Sequence, residues 1–536
     1  MADRLDLLGT GVRRTGDVTT RWSGVAILDE EVRPGDLYVV LPDNHATATE
    51  DADRAVRAGA AAVCAHESLG LHPAVPLIEV TDERRALAAS GAVLAGDPAA
   101  DLELVGITGT NGKSTTAAML TRCLEYSGRD TGLLGSFLYW SGDEATYSVT
   151  TPRHGAAHLT TPDGPRLHAA LAAIAAAGGR TAVMEVTSQA LLHRRVDDCA
   201  FGVCLLTRMG EDHLNLHGTT AAYHDAKRRL FTELASPGAL IVAHANDPTA
   251  SAVLGQAAEQ ALWIHHADSL PGNPVSHDPV PGLPGVSLAD GALHLGREAA
   301  ERLGTTPGAL RLGLPVPVPH DLENAALAAT AALGLGVPRE AVEGALATYP
   351  GLPRRLQPIA TGPFLVVDSM MNDPVLDQAL GPALETLHCD TPIVALVGPR
   401  GSRGPRINGE FARHLGRSLG AVGVTTAEVT LGDDVLPDHD RVDADVGRAF
   451  CAGLDATGLA HRVHRRTDGA VASALDAVRA GGTLLLLGSE AVNPAGELVT
   501  RQLRSDGFDG RLAGTRVEQV RRAVDPRGRL APVGTD

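Results

Sequence analysis

The chain has 536 residues, of which 44% are hydrophobic but only 3% aromatic, and its formal net charge is −18 with a pI near 5.6. That length allows about three domains, with cores filled by aliphatic residues and alanine. The acidity argues against a general nucleic-acid binder, while a local basic cleft still admits anionic substrates. Cysteines 64, 123, 199, 204, 389 and 451 show no C-x-x-C spacing. They point away from a zinc site or a disulfide framework and toward a reducing compartment. Met1-Ala-Asp-Arg4 lacks an apolar signal core, and no run approaches the roughly 20 apolar residues of a membrane span. A cytoplasmic protein with no stable membrane association and no nucleic-acid partner is expected.

Residues 1–100 alternate short β-like runs with alanine-rich helices. Val32-Arg-Pro-Gly-Asp-Leu-Tyr-Val-Val-Leu41 is a turn feeding a strand, Asp51 to Ala62 has helical periodicity, and Val63-Cys-Ala65 leads out of it. Residues 101–350 open on an apolar run, Leu102 to Ile107, followed by Gly109-Thr-Asn-Gly-Lys-Ser-Thr-Thr116 and the helix-prone Ala117 to Leu124. Further along, Thr181 to Val186 and Phe201 to Leu206 suit buried parallel strands. Proline and glycine dominate Pro271 to Pro319, implying short strands joined by turns, and Ala325 to Leu333 restores helix. Residues 351–536 begin after Pro350-Gly-Leu-Pro353. They carry three strand-like runs, Phe364 to Asp368, Pro392 to Val397 and Gly482 to Leu487, separated by helical stretches, with a polar tail from Asp525. The alternation implies α/β architecture in three domains: a small N-terminal α/β domain, a central P-loop-type domain with a mostly parallel sheet, and a C-terminal Rossmann-like α/β domain.

The glycine-rich loop carries the most chemistry. Gly109 and Gly112 let backbone N–H groups turn onto an anion at a helix N-terminus. Lys113 can reach phosphate oxygens, and the Ser114 hydroxyl can ligate Mg²⁺. The strict spacing G-x-x-x-x-G-K-[ST] fails because Ile107 stands at the first glycine's place. A triphosphate cradle is nonetheless the reading of Gly-Lys-Ser-Thr at a strand-to-helix switch. Glu185, closing a strand-like run, would sit at the carboxyl edge of the sheet, where it could supply a hard oxygen to the same Mg²⁺. By itself it is equally an N-cap or a solvated glutamate.

Leu206-Thr-Arg-Met-Gly-Glu-Asp-His-Leu-Asn-Leu-His-Gly218, Tyr223 and Ala226-Lys-Arg-Arg-Leu-Phe231 follow. With the phosphate loop, Thr160-Thr-Pro-Asp163 and Glu185-Val-Thr-Ser188, they resemble the Mur ligases, most closely the branch that adds the third residue to UDP-N-acetylmuramoyl-dipeptide. The resemblance continues through Leu314 to Asn324, Pro353-Arg-Arg-Leu-Gln357 and Val367-Asp368, covering nearly the whole chain in order. It implies ATP-dependent activation of a carboxylate to an acyl phosphate, then attack by an amino-acid amine. It implies that Gly109, Thr110, Asn111, Gly112, Lys113, Ser114 and Thr115 hold the phosphates, that Lys113 stabilises the transferred group, and that Asn324, Arg355 and Asp368 contact the nucleotide. Ser114 with Glu185 would hold one Mg²⁺ and His213 would help hold a second. Lys227 matches a lysine that relatives carbamoylate, turning a cation into an anion able to support the metal; without the motif it would be an ordinary exposed helix lysine. Thr160, Thr161, Ser188 and Arg195 fall on substrate positions. The N-terminal domain would recognise the carboxylate substrate, and the C-terminal domain would close on ATP and bind the amine.

The departures from the family lie at both substrate ends. Leu28-Asp-Glu30 replaces Asp-Ser-Arg, and Thr47-Ala-Thr49 replaces Asp-Gly-His, at positions that help hold uridine in relatives. Thr430-Leu-Gly-Asp-Asp434 stands for Asp-Asn-Pro-Arg and lacks the arginine that would clamp a carboxylate. Asp368-Ser-Met-Met-Asn-Asp-Pro374 loses a histidine, Gly398 to Arg406 is basic but without its acids, and His320-Asp321 replaces His-Asn. These residues imply retained activation chemistry with changed substrates. Peptidoglycan synthesis remains the alternative, as do a folylpolyglutamate- or cyanophycin-type ligase and a non-catalytic nucleotide-binding homologue. The last would be expected to lose Lys113, Ser114, Glu185, His213 and Lys227, all of which are present.

Overall fold

The computed structural model describes residues 13–15, 22–136, 139–141, 144–146, 159–210, 212–266, 285–315, 317–349, 351–352, 354–369, 380–381, 384–387, 389–508 and 510–512. Met1 to Arg4, 271–284, Pro353, Met370 to Pro374 and the tail from Asp525, all used above, lie outside them.

Strands fall into three sheets. The first holds Arg13–Thr15 (β1), Val25–Ala26 (β2), Leu37–Val39 (β3), Ala62–His66 (β4) and Leu77–Val80 (β5), in the order β1-β5-β4-β3-β2. All neighbours are parallel except β1. The helix Ala48–Ala58 joins β3 to β4 and stops at Gly59, whose φ of 106° puts it in the left-handed region while its N–H returns to the carbonyls of Ala55 and Val56. A side chain there would also meet Pro34, since an ideal Cβ lies 2.9 Å from Pro34 Cα, so the expected helix through Ala62 ends early and the chain turns into β4.

The central sheet holds Glu103–Thr108 (β6), Thr131–Leu134 (β7), Tyr139–Ser141 (β8), Glu144–Thr146 (β9), Thr181–Glu185 (β10), Phe201–Leu206 (β11), Ala235–His244 (β12), Leu262–His266 (β13), Gly285–Ala289 (β14), Ala292–Leu295 (β15) and Gly308–Arg311 (β16). Its order is β16-β15-β14-β13-β12-β11-β6-β10-β7-β8-β9. It is parallel from β14 through β7 and antiparallel at both edges. The middle strands are apolar on both faces because helices cover both; β6 and β10 bury nearly every residue. A core of Leu104, Met184, Val186, Leu206, Ile241 and their neighbours lies beneath. The helix Glu83–Ala95 packs against Gly164–Ala176 at a crossing that only glycine permits. A Cβ on Gly164 would lie 2.5 Å from Ala88 Cα, and one on Gly91 would lie 2.6 Å from the Gly164 carbonyl carbon.

The third sheet holds Gln357–Thr361 (β17), Leu365–Ser369 (β18), Ile393–Val397 (β19), Val424–Thr430 (β20), His461–His464 (β21), Thr483–Leu487 (β22) and Arg511–Leu512 (β23), ordered β21-β20-β19-β22-β18-β17-β23. The run β21 to β18 is parallel, as a Rossmann-like sheet requires. The architecture is the expected three-sheet α/β one. The first two sheets share one compact unit with Glu323–Ala347, and the third sheet lies in a second unit with Leu314–Leu322.

Candidate active site

Parallel strands β11, β6 and β10 are adjacent, and their carboxyl ends come level: Leu206 pairs with Thr108, and Ile107 with Glu185. The phosphate loop leaves β6 at this edge and enters the helix Lys113–Tyr126, with Gly112 at its N-cap. The helix takes in Lys113 to Thr116 ahead of the helix-prone Ala117, its first turn closed by Thr116 N–H donating to the Gly112 carbonyl at 2.9 Å. Gly109 (φ 145°) and Gly112 (φ 90°) occupy conformations that disfavour side chains. Space agrees: a Cβ on Gly109 would lie 2.0 Å from Thr207 Oγ1, and one on Gly112 would lie 2.3 Å from Asn324 Oδ1. The loop is seated on its neighbours through Thr110 N–H and Asn111 N–H, which donate to the Arg208 carbonyl (2.8 and 3.2 Å). Thr110 Oγ1 also lies 2.8 Å from Tyr223 OH and accepts from Gly210 N–H (2.9 Å).

Lys113 Nζ donates to the carbonyls of Gly109 (3.0 Å) and Thr110 (2.9 Å), inside the loop. Ser114 Oγ donates to Glu185 Oε2 (2.8 Å), and Ser136 N–H donates to Glu185 Oε1 (2.8 Å). Ser136 Oγ is 3.0 Å from Thr160 Oγ1, and Thr161 Oγ1 donates to the Glu185 carbonyl at 2.7 Å. Arg195 Nη1 donates to the Thr161 carbonyl (3.1 Å), and Ser188 Oγ lies 3.1 Å from His217 Nε2. Thus Ser114, Glu185, Thr160, Thr161 and Arg195 form one hydrogen-bonded set beside the loop. Ser136, absent from the sequence reading, is its link; only its place after β7, two strands from β6, gives it away.

The Ser114 hydroxyl and the Glu185 carboxylate are the hard, closely spaced oxygens that Mg²⁺ prefers, so the residues fit that ion with phosphate and water completing its shell. Among the described residues no three His, Cys, Asp or Glu side chains gather as a metal cage. His213 is exposed on a left-handed backbone (φ 52°), with Nε2 3.4 Å from Asp212 Oδ2.

Lys227 is no exposed helix lysine: it is 1% exposed. Its Nζ donates to the Gly109 carbonyl (2.8 Å) and lies 4.7 Å from the centre of the Tyr223 ring. Burial, reinforced by the charge of Lys113, holds its amine well below the usual lysine range, with Asp212 opposing. Asn324 Oδ1 accepts from Thr116 Oγ1 (3.2 Å), so the asparagine faces the loop's helix.

In the second unit Asp368 is buried, and its Oδ1 accepts from Arg354 Nε at 3.2 Å. Arg354, passed over in the sequence, is 2% exposed at φ 62° and also bonds Asn493. Arg355 is half-buried beside it. Asp434 caps the helix Thr467–Val478, accepting from Thr467 N–H (2.7 Å) and Asp468 N–H (3.3 Å).

A buried phosphate cradle with a paired serine and glutamate, at the carboxyl edge of a parallel sheet, defines a nucleoside-triphosphate enzyme. Residues 107–269 match the family model described as Mur ligase middle domain. The chain is 30% identical over 406 residues to the UDP-N-acetylmuramyl-tripeptide synthetase of Deinococcus radiodurans, covering 74% of this chain and 77% of that protein. Identity is again 30%, over 456 residues, to the protein of that name from Roseiflexus, covering 81% and 82%. The fold is similar to that of the MurF ligase of Thermotoga maritima in complex with ADP, with a TM-score of 0.54 at 18% identity over 92% of this chain and 99% of that one. The chain belongs to the Mur ligase family, and it is an ATP-dependent acid–amino-acid ligase. Among the described residues no helix is long and apolar enough to cross a membrane.

Proposed function

We propose that this ligase joins an amine to a carboxylate substrate that carries no uridine nucleotide, outside the standard peptidoglycan step. The observation that carries this reading is the closure of the N-terminal substrate end on itself. Arg54 bonds both Asp29 and Asp51, and Asp51 Oδ2 accepts from Thr47 Oγ1 at 2.6 Å. Asp29 and Thr47 stand in the two segments that help hold uridine in relatives; here their polar groups satisfy one another. At the amine end, Asp434 is engaged as a helix cap with Arg466 Nη2 3.9 Å from its Oδ2, and the Thr430–Asp434 box itself holds no arginine to read a second carboxylate.

In the proposed reaction a carboxylate oxygen attacks the γ-phosphorus of ATP and ADP leaves. The amine then attacks the acyl carbon, phosphate departs, and the amine loses its proton. The loop amides and Lys113 orient and neutralise the transferred phosphoryl group. Ser114 and Glu185 would hold Mg²⁺, which supplies charge neutralisation, with His213 at a second ion. Lys227 would be carbamoylated: its neutral amine adds CO₂ and releases a proton, and its burial supports the neutral form. Thr160, Thr161, Ser188 and Arg195 would position the carboxylate. By domain, residues 1–100 would recognise that substrate, 101–350 bind ATP, and 351–536 close over it with Arg355 and Asp368 and bind the amine.

Phosphate release from MgATP, measured over a panel of carboxylates and amines, tests the reading. Turnover with a uridine-free acid, abolished by Lys113→Ala, is expected. Robust turnover of UDP-muramoyl-dipeptide with diaminopimelate or lysine would return the chain to wall synthesis, and glutamate-dependent ADP formation with a folate would make it a folylpolyglutamate-type enzyme.

A further inference from the structure

Arg208 follows β11, and its carbonyl receives both loop amides described above. Its guanidinium forms a two-pronged pair with Glu323, Nε to Oε2 at 2.8 Å and Nη2 to Oε1 at 2.5 Å. Glu323 is buried and immediately precedes Asn324, whose amide fills the space beside Gly112. The residue after Arg208 is anchored as well: Met209 N–H donates to Asp247 Oδ2 at 2.7 Å, and Asp247 Oδ1 accepts from Thr249 N–H and Oγ1. His266 Nε2 stands 3.5 Å from Glu323 Oε1. The phosphate loop is therefore confined by two walls, the Thr207–Arg208 backbone and Asn324, and the bidentate pair that bridges them joins residues 115 apart in sequence.

We propose that the Arg208–Glu323 pair is a positioning element for the nucleotide: it sets the spacing of these two walls, and because the Thr110 and Asn111 amides are held by the Arg208 carbonyl, it thereby sets the seat of the Gly109–Lys113 loop beneath the triphosphate. The inference rests on the reading of this loop as the ATP site. An Arg–carboxylate fork fixes direction as well as distance, which a lysine or a neutral pair does not reproduce. Neither side chain needs to touch the nucleotide for this. Small displacements of oriented amides weaken an anion site steeply, because the donors must converge on one set of oxygens. Neither the acidic overall charge nor the loop motif reports the pair, since each partner alone is an unremarkable surface-type residue.

The test compares full-length native protein with Arg208→Met, Glu323→Gln and the exchanged pair Arg208→Glu/Glu323→Arg, using MgATP and its non-hydrolysable β,γ-methylene analogue. Analogue Kd, by calorimetry, and the KM for ATP are expected to rise about tenfold in Arg208→Met, with a smaller rise in Glu323→Gln and substantial recovery in the exchanged pair. Nucleotide-free Tm should fall in Arg208→Met, which leaves the buried Glu323 carboxylate without its partner, and change little in Glu323→Gln, whose Arg208 partner is part-exposed. Unchanged Kd in both single variants, or a Tm loss with intact Kd, would overturn the proposal. If Arg208→Met does not fold, Glu323→Gln decides by the same criteria. Failure of the native protein to bind the analogue would instead refute the ATP-site reading.

Discussion

Gly112→Ala perturbs the phosphate loop at a position where two costs can be worked out separately. The backbone φ of 90° is left-handed, and forcing an L-residue there costs about 1–2 kcal/mol. The new methyl would also stand 2.3 Å from Asn324 Oδ1, so Asn324 must swing away and forfeit its bond from Thr116 Oγ1, for roughly 1 kcal/mol more. The total, about 2–3 kcal/mol, corresponds to a Tm lower by roughly 3–6 °C. Loss of MgATP affinity accompanies it, because the same glycine aims the loop. Calorimetric unfolding and MgATP titration of Gly112→Ala, Asn324→Ala and the double variant provide the assay. Since the clash requires both residues, the double variant should be about 1 kcal/mol more stable than additivity predicts. Strict additivity, or a Gly112→Ala protein that melts and binds like the native one, would show that no clash between the residue at 112 and Asn324 exists.

Further outcomes follow from buried charge. His244 is 2% exposed with neither ring nitrogen hydrogen-bonded, and burial lowers its pKa from 6.5 to about 4. As pH falls from 6.5 toward 4 the unfolded chain takes up this proton first, so the folded form loses up to about 3 kcal/mol in that window; His244→Phe should flatten that part of a stability–pH profile, and an unchanged slope would contradict the burial argument. Asp368→Asn would strand the buried Arg354 guanidinium and cost about 3–5 kcal/mol, visible as faster hydrogen exchange in the third sheet, whereas Arg354→Met with Asp368→Leu should recover much of it; equal protection in native and Asp368→Asn proteins would sink this. ¹³C-bicarbonate should give one carbamate resonance that vanishes in Lys227→Arg. Because the buried amine's pKa is depressed, its neutral form persists to lower pH than in a solvated lysine, so the signal should survive at neutral pH; its absence there would remove the carbamate.

What the sequence revealed depended on whether a signal was local. Phe201–Leu206 emerged with its observed bounds because an apolar run between polar turns has one reading beside parallel neighbours. The helix Pro319–Gly334 began before the expected Ala325 because His320, Asp321 and Glu323 broke the apolar period while occupying its first turns. Lys227 was singled out only through its motif; its neighbours Arg228 and Arg229 disguised a fully buried amine. Pairings such as Arg208 with Glu323 or Arg354 with Asp368 join distant segments by side-chain geometry that no periodicity encodes. Asp434 was met as part of a substrate box, and its capping of Thr467 could not be read without the fold.

Calorimetric titration of the Mg²⁺-loaded protein with UDP-muramoyl-dipeptide, alongside ADP, decides whether the N-terminal end accepts a uridine nucleotide. One saturable site for ADP and no measurable heat from the uridine nucleotide are expected, because the Asp29, Arg54, Asp51 and Thr47 side chains are bonded to one another in the segments proposed above for uridine recognition. Micromolar binding of UDP-muramoyl-dipeptide would contradict this.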